Sequence, residues 1–109
     1  MAGHKKEMAL EVLRDLASRF FAENGTSKAS LITVTKVESS PDRKFSKIFF
    51  TVYPETMEKQ ALEFAKRNRA EFRDYIKKES LLSRLPFIDF EIDYGEKNRQ
   101  QIDQISNSI

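Results

Sequence analysis

Residues 31–53 read LITVTKVESSPDRKFSKIFFTVY, and this stretch decides the fold. It holds two runs rich in β-branched and aromatic residues, 31–38 and 45–53, which are typical of β-strands. The residues between them, Ser39-Ser40-Pro41-Asp42-Arg43-Lys44, favour a turn because serine, proline and aspartate stabilise turn geometry. The sequence therefore predicts a β-hairpin.

The spacing of apolar residues in each strand predicts which face meets the core. In the first strand, Val34 and Val37 are three positions apart, so a regular strand cannot place both on one face. A bulge near Thr35-Lys36 would bring them to the same side. The second strand alternates regularly, and its residues expected on one face are Ile48, Phe50 and Val52.

Helical patterns lie on both sides of the hairpin. From Lys5 to Asn24 an apolar residue recurs every four positions, which predicts an amphipathic helix ending near Gly25. A second helical pattern runs from Thr56 to about Leu82, but its apolar face shifts at residues 66–69. We therefore expect two helices or one kinked helix, with the Asn68 side chain bonding to the backbone at the break.

A third strand is predicted at Phe87–Tyr94 and is expected to end at Gly95. Its core-facing residues would be Ile88, Phe90, Ile92 and Tyr94. Its water-facing residues would be Asp89, Glu91 and Asp93. The tail, about residues 96–109, carries isoleucines and would either form a short docking helix or stay frayed.

The predicted order of elements is α-β-β-α-α-β, which indicates an α+β fold with a three-stranded sheet packed against helices. This is the element order of the KH-like, type II fold. The 109 residues fit a single domain, 1–109, with a core of its own.

Composition narrows the function classes. The chain has no cysteine and one histidine, which excludes disulfides, thiolate zinc sites and a cysteine nucleophile. Because the sequence has no cysteine, no clustered metal ligands and no phosphate-binding glycine motif, we expect no metal and no cofactor. No apolar run suits a membrane span, and the first residues lack a signal core, so a cytoplasmic protein with no membrane partner is expected. The net charge is only +2, so the placement of basic residues matters more than their number.

The chain resembles ribosome-binding factor A, a bacterial assembly factor with a KH-like fold. The hairpin carries the first part of the resemblance, in Val34-Thr35-Lys36-Val37-Glu38 followed by Ser40, Asp42 and Lys47. The later parts are Phe72-Arg73, then Leu81-Leu82 and Arg84, and finally the pattern Pro86-x-Ile88-x-Phe90-x-Ile92-Asp93. The family's helix kink, usually Ala-x-Gly, aligns with Asn68-Arg69-Ala70, so alanine stands where the family has glycine.

The resemblance implies a monomer that catalyses nothing and binds small-subunit ribosomal RNA. Its partners would be the free or immature small ribosomal subunit, whose maturation and rRNA processing it would promote. The family also implies a part in cold adaptation. The alternative is a small α+β protein-interaction module with no nucleic-acid role.

Basic residues are the candidates for RNA contact, because phosphates are the natural partner of a basic surface. The candidates are Lys5, Lys6, Arg43, Lys44, Lys47, Lys66, Arg67, Arg69, Arg73 and Lys77. Spacings of three and four place Lys66, Arg69, Arg73 and Lys77 on one helical face. A solvated, partly paired surface is the competing interpretation for each. Phe49 and Tyr53 would either stack on bases or belong to the core.

Overall fold

The computed structural model describes residues 2–25, 31–80 and 85–107, with side chains described within 9–24, 31–80 and 85–100. The helices are α1 (Ala2–Phe20), α2 (Glu58–Arg67), α3 (Arg69–Glu79) and α4 (Tyr94–Asn107). The strands are β1 (Leu31–Ser39), β2 (Phe45–Tyr53) and β3 (Phe87–Ile92). Two short turns accompany them, a π-helical one at Phe21–Gly25 and a 3-10 one at Glu55–Met57. The predicted α-β-β-α-α-β order is confirmed, and α4 follows it.

The sheet has the order β1-β2-β3. The hairpin makes β1 and β2 antiparallel, whereas α2 and α3 carry the chain back so that β3 runs parallel to β2. The pairing passes from Val34 opposite Phe50 to Lys36 opposite Phe49, leaving Thr35 as the extra residue. The predicted bulge is therefore confirmed, and Val37 returns to the face that carries Val34.

One face of the sheet packs against the helices and forms the core. Phe90, at the centre of β3, lies 5.5 Å from the Phe21 ring, 6.4 Å from Phe50 and 5.7 Å from Phe72, measured between ring centroids. The strand residues buried here include those predicted, namely Val34, Ile48, Phe50, Val52, Ile88, Phe90 and Ile92. On the opposite face, Phe45, Tyr53 and Phe87 are more than half exposed, whereas Thr51 is buried.

The end of β3 differs from the prediction. The strand stops at Ile92, and Tyr94 is 63% exposed at the start of α4 rather than in the core. Asp93 is 8% exposed rather than facing water. Its Oδ1 accepts the backbone N–H of Glu96 at 3.0 Å, which caps α4, and its Oδ2 accepts the Thr35 hydroxyl at 2.6 Å. The cap ends the strand at this point, before Gly95.

The second helical region begins and divides for local reasons. Residues 55–57 form a 3-10 turn, so α2 begins at Glu58 instead of Thr56. The break falls at Asn68, within the predicted interval, and α3 ends at Glu79 because Ser80 is extended. The predicted end near Leu82 lies outside the described residues.

Contacts made by Lys97 hold α4 against the turn that precedes α2. Its Nζ lies 3.1 Å from Glu58 Oε1 and 3.6 Å from Glu55 Oε2. The hydrogen bond to Glu58 raises the pKa of Lys97 above its ordinary value.

Within the described ranges, no helix has both the length and the apolar character needed to cross a membrane.

Candidate nucleic-acid interface

At the break between α2 and α3, Asn68 is hydrogen-bonded through its backbone and its side chain. The Asn68 backbone N–H is shared between the carbonyls of Phe64 and Ala65, at 3.1 and 3.2 Å. Its side-chain amide donates to the Phe64 carbonyl at 2.8 Å, as predicted, and its own carbonyl accepts the Phe72 N–H at 3.0 Å. Asn68 has φ −104° and ψ 21°, a conformation open to residues other than glycine. Alanine at position 70 is therefore compatible with the break.

Two basic residues beside the break converge on one carboxylate of β3. Arg69 Nη1 lies 3.2 Å from Asp89 Oδ1, and Lys66 Nζ lies 3.9 Å from the same oxygen. All three side chains keep at least a third of their surface exposed, so each pair contributes at most about 1 kcal/mol to stability. The Arg69 guanidinium also lies 5.7 Å from the centre of the Phe87 ring.

The remaining helical candidates divide into a structural residue and two exposed ones. Arg73 is half-buried, and its guanidinium donates to the carbonyl of Pro86, which ties α3 to the segment just before β3. Arg67 and Lys77 are exposed. Neither forms an ion pair with any residue that the structure describes. The four basic residues predicted to share one helical face therefore differ in their contacts. Lys66, Arg69 and Arg73 reach β3 or the segment just before it, whereas Lys77 is exposed to solvent.

The hairpin turn is held by hydrogen bonds. The Ser40 hydroxyl donates to Asp42 Oδ1 at 2.6 Å, and the Lys44 N–H donates to the same oxygen at 3.0 Å. These bonds, that of Ser40 foremost, lower the pKa of Asp42. Arg43 adopts a left-handed conformation, with φ 61°. The Lys44 carbonyl accepts the Phe87 N–H at 2.8 Å, so the turn is fixed beside the start of β3.

The outer face of the sheet carries both charged and aromatic residues. Lys47 Nζ lies 3.5 Å from Glu91 Oε2, and Lys36 Nζ lies 4.7 Å from the centre of the Phe49 ring. Phe49 is half-buried and Tyr53 is 72% exposed, so neither belongs to the helix-packed core. Stacking on a base stays a prediction for both.

The start of β3 is where most of the candidate residues meet. Arg69 and Lys66 reach Asp89, Arg73 reaches Pro86, and the hairpin turn bonds to Phe87. The side chains of Lys5 and Lys6 lie outside those that the structure describes. The described side chains include no group of three or more histidines, cysteines and carboxylates that could hold a metal ion.

Sequence analysis did not single out Phe45 or Phe87, which lie side by side at this place on the outer face. The sequence does indicate the face on which Phe45 lies, because Phe45, Lys47 and Phe49 alternate along β2 on the face away from the core. It does not indicate that Phe87 is the neighbour of Phe45, because two helices separate β2 from β3 in the chain.

Comparison with known proteins identifies relatives for nearly the whole chain. A family model described as Ribosome-binding factor A matches residues 4–106. A Ribosome-binding factor A of Kosmotoga olearia is 27% identical over 112 residues, which cover 99% of this chain and 90% of the relative. The Ribosome-binding factor A of Fervidobacterium nodosum is 28% identical over 81 residues, which cover 73% of this chain and 65% of that relative.

The fold also has solved counterparts. The crystal structure of ribosome-binding factor A from Thermus thermophilus superposes with a TM-score of 0.71 at 20% identity, covering 80% of this chain and 93% of that one. The likeness confirms the predicted KH-like α+β fold.

Proposed function

The chain belongs to the ribosome-binding factor A family, and from that premise we propose that it is a ribosome assembly factor. It binds small-subunit ribosomal RNA, in free or immature small subunits, and promotes their maturation and rRNA processing. It acts as a cytoplasmic monomer by binding alone, without catalysis, and growth in the cold would depend on it. The observation that carries the proposal is the family match over residues 4–106.

The geometry around β3 supports a phosphate-binding surface. Arg67 and Lys77 are exposed on the two helices that meet at the break, and Lys44 is exposed on the hairpin turn beside β3. These three can meet phosphates without first losing an ion pair with a described residue. Arg43 shares the turn with Lys44, and Lys47 follows on β2.

A second group of cations already forms ion pairs with carboxylates. Lys66 and Arg69 bind Asp89, and Lys47 binds Glu91, in surface pairs that a phosphate oxygen can replace at small cost. Arg73 has a different role, because its bond to Pro86 holds the fold at the site. Such a surface favours the rRNA conformation whose phosphates fit it best, and differential binding of this kind shifts the RNA toward that conformation.

Salt dependence of binding tests the proposal. We expect the protein to bind purified small ribosomal subunits, and the affinity to fall about 10- to 100-fold between roughly 50 and 200 mM salt, because several phosphate contacts release counterions. Sedimentation with small subunits measures this, with large subunits as the control. Affinity that is unchanged over this range, or equal for both subunits, contradicts the proposal. A module that binds only proteins would not retain rRNA stripped of ribosomal proteins.

Replacing Asp89 by asparagine should strengthen binding. Asp89→Asn removes the charge that holds Lys66 and Arg69, so both cations become available to phosphate. We expect affinity for small subunits to rise about two- to tenfold and its salt dependence to become steeper. Glu79→Gln, at an exposed position in the last turn of α3, makes the same change of net charge away from this cluster and is the control. Unchanged or weaker binding by Asp89→Asn would show that Asp89 does not compete with RNA.

A further inference from the structure

Two phenylalanines are exposed side by side on the sheet face that turns away from the helices. Phe45 on β2 and Phe87 on β3 are direct register partners, and they are 57% and 53% exposed. Their ring centroids are 6.0 Å apart, with an interplanar angle of 64°. Each ring therefore covers only part of the other, and substantial aromatic surface faces outward. Exposed apolar surface of this kind marks binding sites more often than chance.

A groove of about 370 Å³ lies over this pair, at the lower end of the roughly 300–1,000 Å³ that small-ligand sites occupy. Its lining combines the two aromatic residues with polar and charged ones. The latter are Glu38, Ser39, Ser40, Ser46, Lys47 and Asp89. A planar ligand with an apolar face and polar edges matches a lining that combines exposed aromatic rings with polar side chains, whereas an aliphatic side chain matches the apolar part alone.

Charge around the groove favours an anionic partner. Within the described part of the chain, six cations and four carboxylates surround the groove. Some line it, others pair with a residue that lines it, and the rest lie in the turn between Ser40 and Phe45. The cations are Lys36, Arg43, Lys44, Lys47, Lys66 and Arg69, and the carboxylates are Glu38, Asp42, Asp89 and Glu91. An RNA backbone that enters here meets a net positive rim.

We propose that this groove binds an unpaired nucleobase of single-stranded RNA, stacked on Phe45 and Phe87. The inference rests on the proposed function and adds a second site to it, on the sheet face instead of at the helix break. Arg69 connects the two places, since it reaches Asp89 and lies over the Phe87 ring. A strand held at the break can therefore turn around the edge of β3 and place one base in the groove.

Aromatic substitution tests the base site. Phe45→Ala and Phe87→Ala should each weaken binding of an unstructured RNA of about ten nucleotides by roughly 5- to 100-fold, because a base–aromatic stack is worth about 1–3 kcal/mol. Both residues are more than half exposed, so the variants should fold, which circular dichroism checks. Fluorescence anisotropy of labelled RNA gives the affinities. Binding to an RNA duplex of equal charge should change little.

Three further variants separate base stacking from nonspecific apolar contact. Phe87→Tyr keeps the ring and should keep the affinity, whereas Phe87→Leu keeps only apolar bulk and should not. Tyr94→Ala removes an aromatic residue that is 63% exposed at the start of α4 and is the matched control. Full binding by Phe87→Leu, or an equal loss in Tyr94→Ala, overturns the base site.

Two outcomes distinguish this inference from the function on which it rests. If the wild-type protein binds small subunits and the single-stranded RNA, and both alanine variants bind equally well, the base site is wrong and the assembly function stands. If the wild-type protein binds neither small subunits nor RNA, the proposed function fails and the base site fails with it.

Discussion

Replacing Phe90 by alanine is expected to lower the free energy of unfolding by about 3–5 kcal/mol. The Phe90 ring is fully buried and contacts the rings of Phe21, Phe50 and Phe72, which come from three different parts of the chain. Alanine would leave a cavity where β3, β2 and two helical elements meet. A domain of this size is stabilised by only about 5–15 kcal/mol, so the loss is a large fraction of the total.

Denaturant unfolding monitored by circular dichroism measures this loss. Phe87→Ala, on the same strand but on the outer face, is the control, and it should cost no more than about 1 kcal/mol because Phe87 is half exposed. If Phe90→Ala does not fold, Phe90→Leu provides a smaller cavity and a measurable value. A loss below about 1 kcal/mol in Phe90→Ala would mean that the aromatic cluster is not the centre of the core.

Two features that depend on local sequence, the bulge in β1 and the break between α2 and α3, were predicted correctly. The three-residue spacing of Val34 and Val37 is incompatible with a regular strand, and the bulge at Thr35 follows from it. The break at Asn68 follows from the shift of the apolar face, because helices on either side must each bury their own stripe. The Asn68 side chain donates to the Phe64 carbonyl, and asparagine readily bonds nearby backbone in this way, so the residue type and the pattern agree at this position.

The end of β3 could not be predicted from alternation alone. The pattern of apolar and acidic residues continues through Tyr94, which suggested a longer strand. What ends the strand is Asp93, which caps α4 and accepts a hydrogen bond from Thr35 in the bulge of β1. This second contact joins residues that are far apart in sequence, and a strand pattern carries no information about it.

The candidate interface shows the same limit. The sequence reveals where Lys66 and Arg69 lie on their helices, but it does not reveal that Asp89 faces both of them. It likewise hides the pairing of Phe45 with Phe87, because the partner strand arrives only after the α2–α3 crossover. Charge patterns thus identify candidate cations, whereas their availability depends on the sheet neighbours that tertiary structure supplies.

The second large prediction concerns the cations that are available to bind the small ribosomal subunit. Reversing the charges of Arg67 and Lys77 should reduce affinity for small ribosomal subunits by roughly 30- to 100-fold at physiological salt. Each reversal replaces an attraction of about 1 kcal/mol between the side chain and the phosphates by a repulsion of similar size. The two reversals together would change the binding free energy by about 4 kcal/mol, and salt screening reduces this change by roughly a third to a half. Both side chains are exposed and make no ion pair with a described residue, so Arg67→Glu/Lys77→Glu should keep the stability of the wild type.

The control must change the net charge equally, because a uniform loss of positive charge also weakens RNA binding. Arg14→Glu/Lys59→Glu does this at exposed positions on α1 and near the start of α2, away from the break. Binding measured by sedimentation with small subunits should fall far less in this control than in Arg67→Glu/Lys77→Glu. If the two double variants lose affinity equally, net charge alone drives association. If Arg67→Glu/Lys77→Glu is folded and binds fully, the exposed cations of α2 and α3 do not contact the ribosome. Only a selective loss makes the arrangement of cations on these two helices, rather than their number, the basis of recognition.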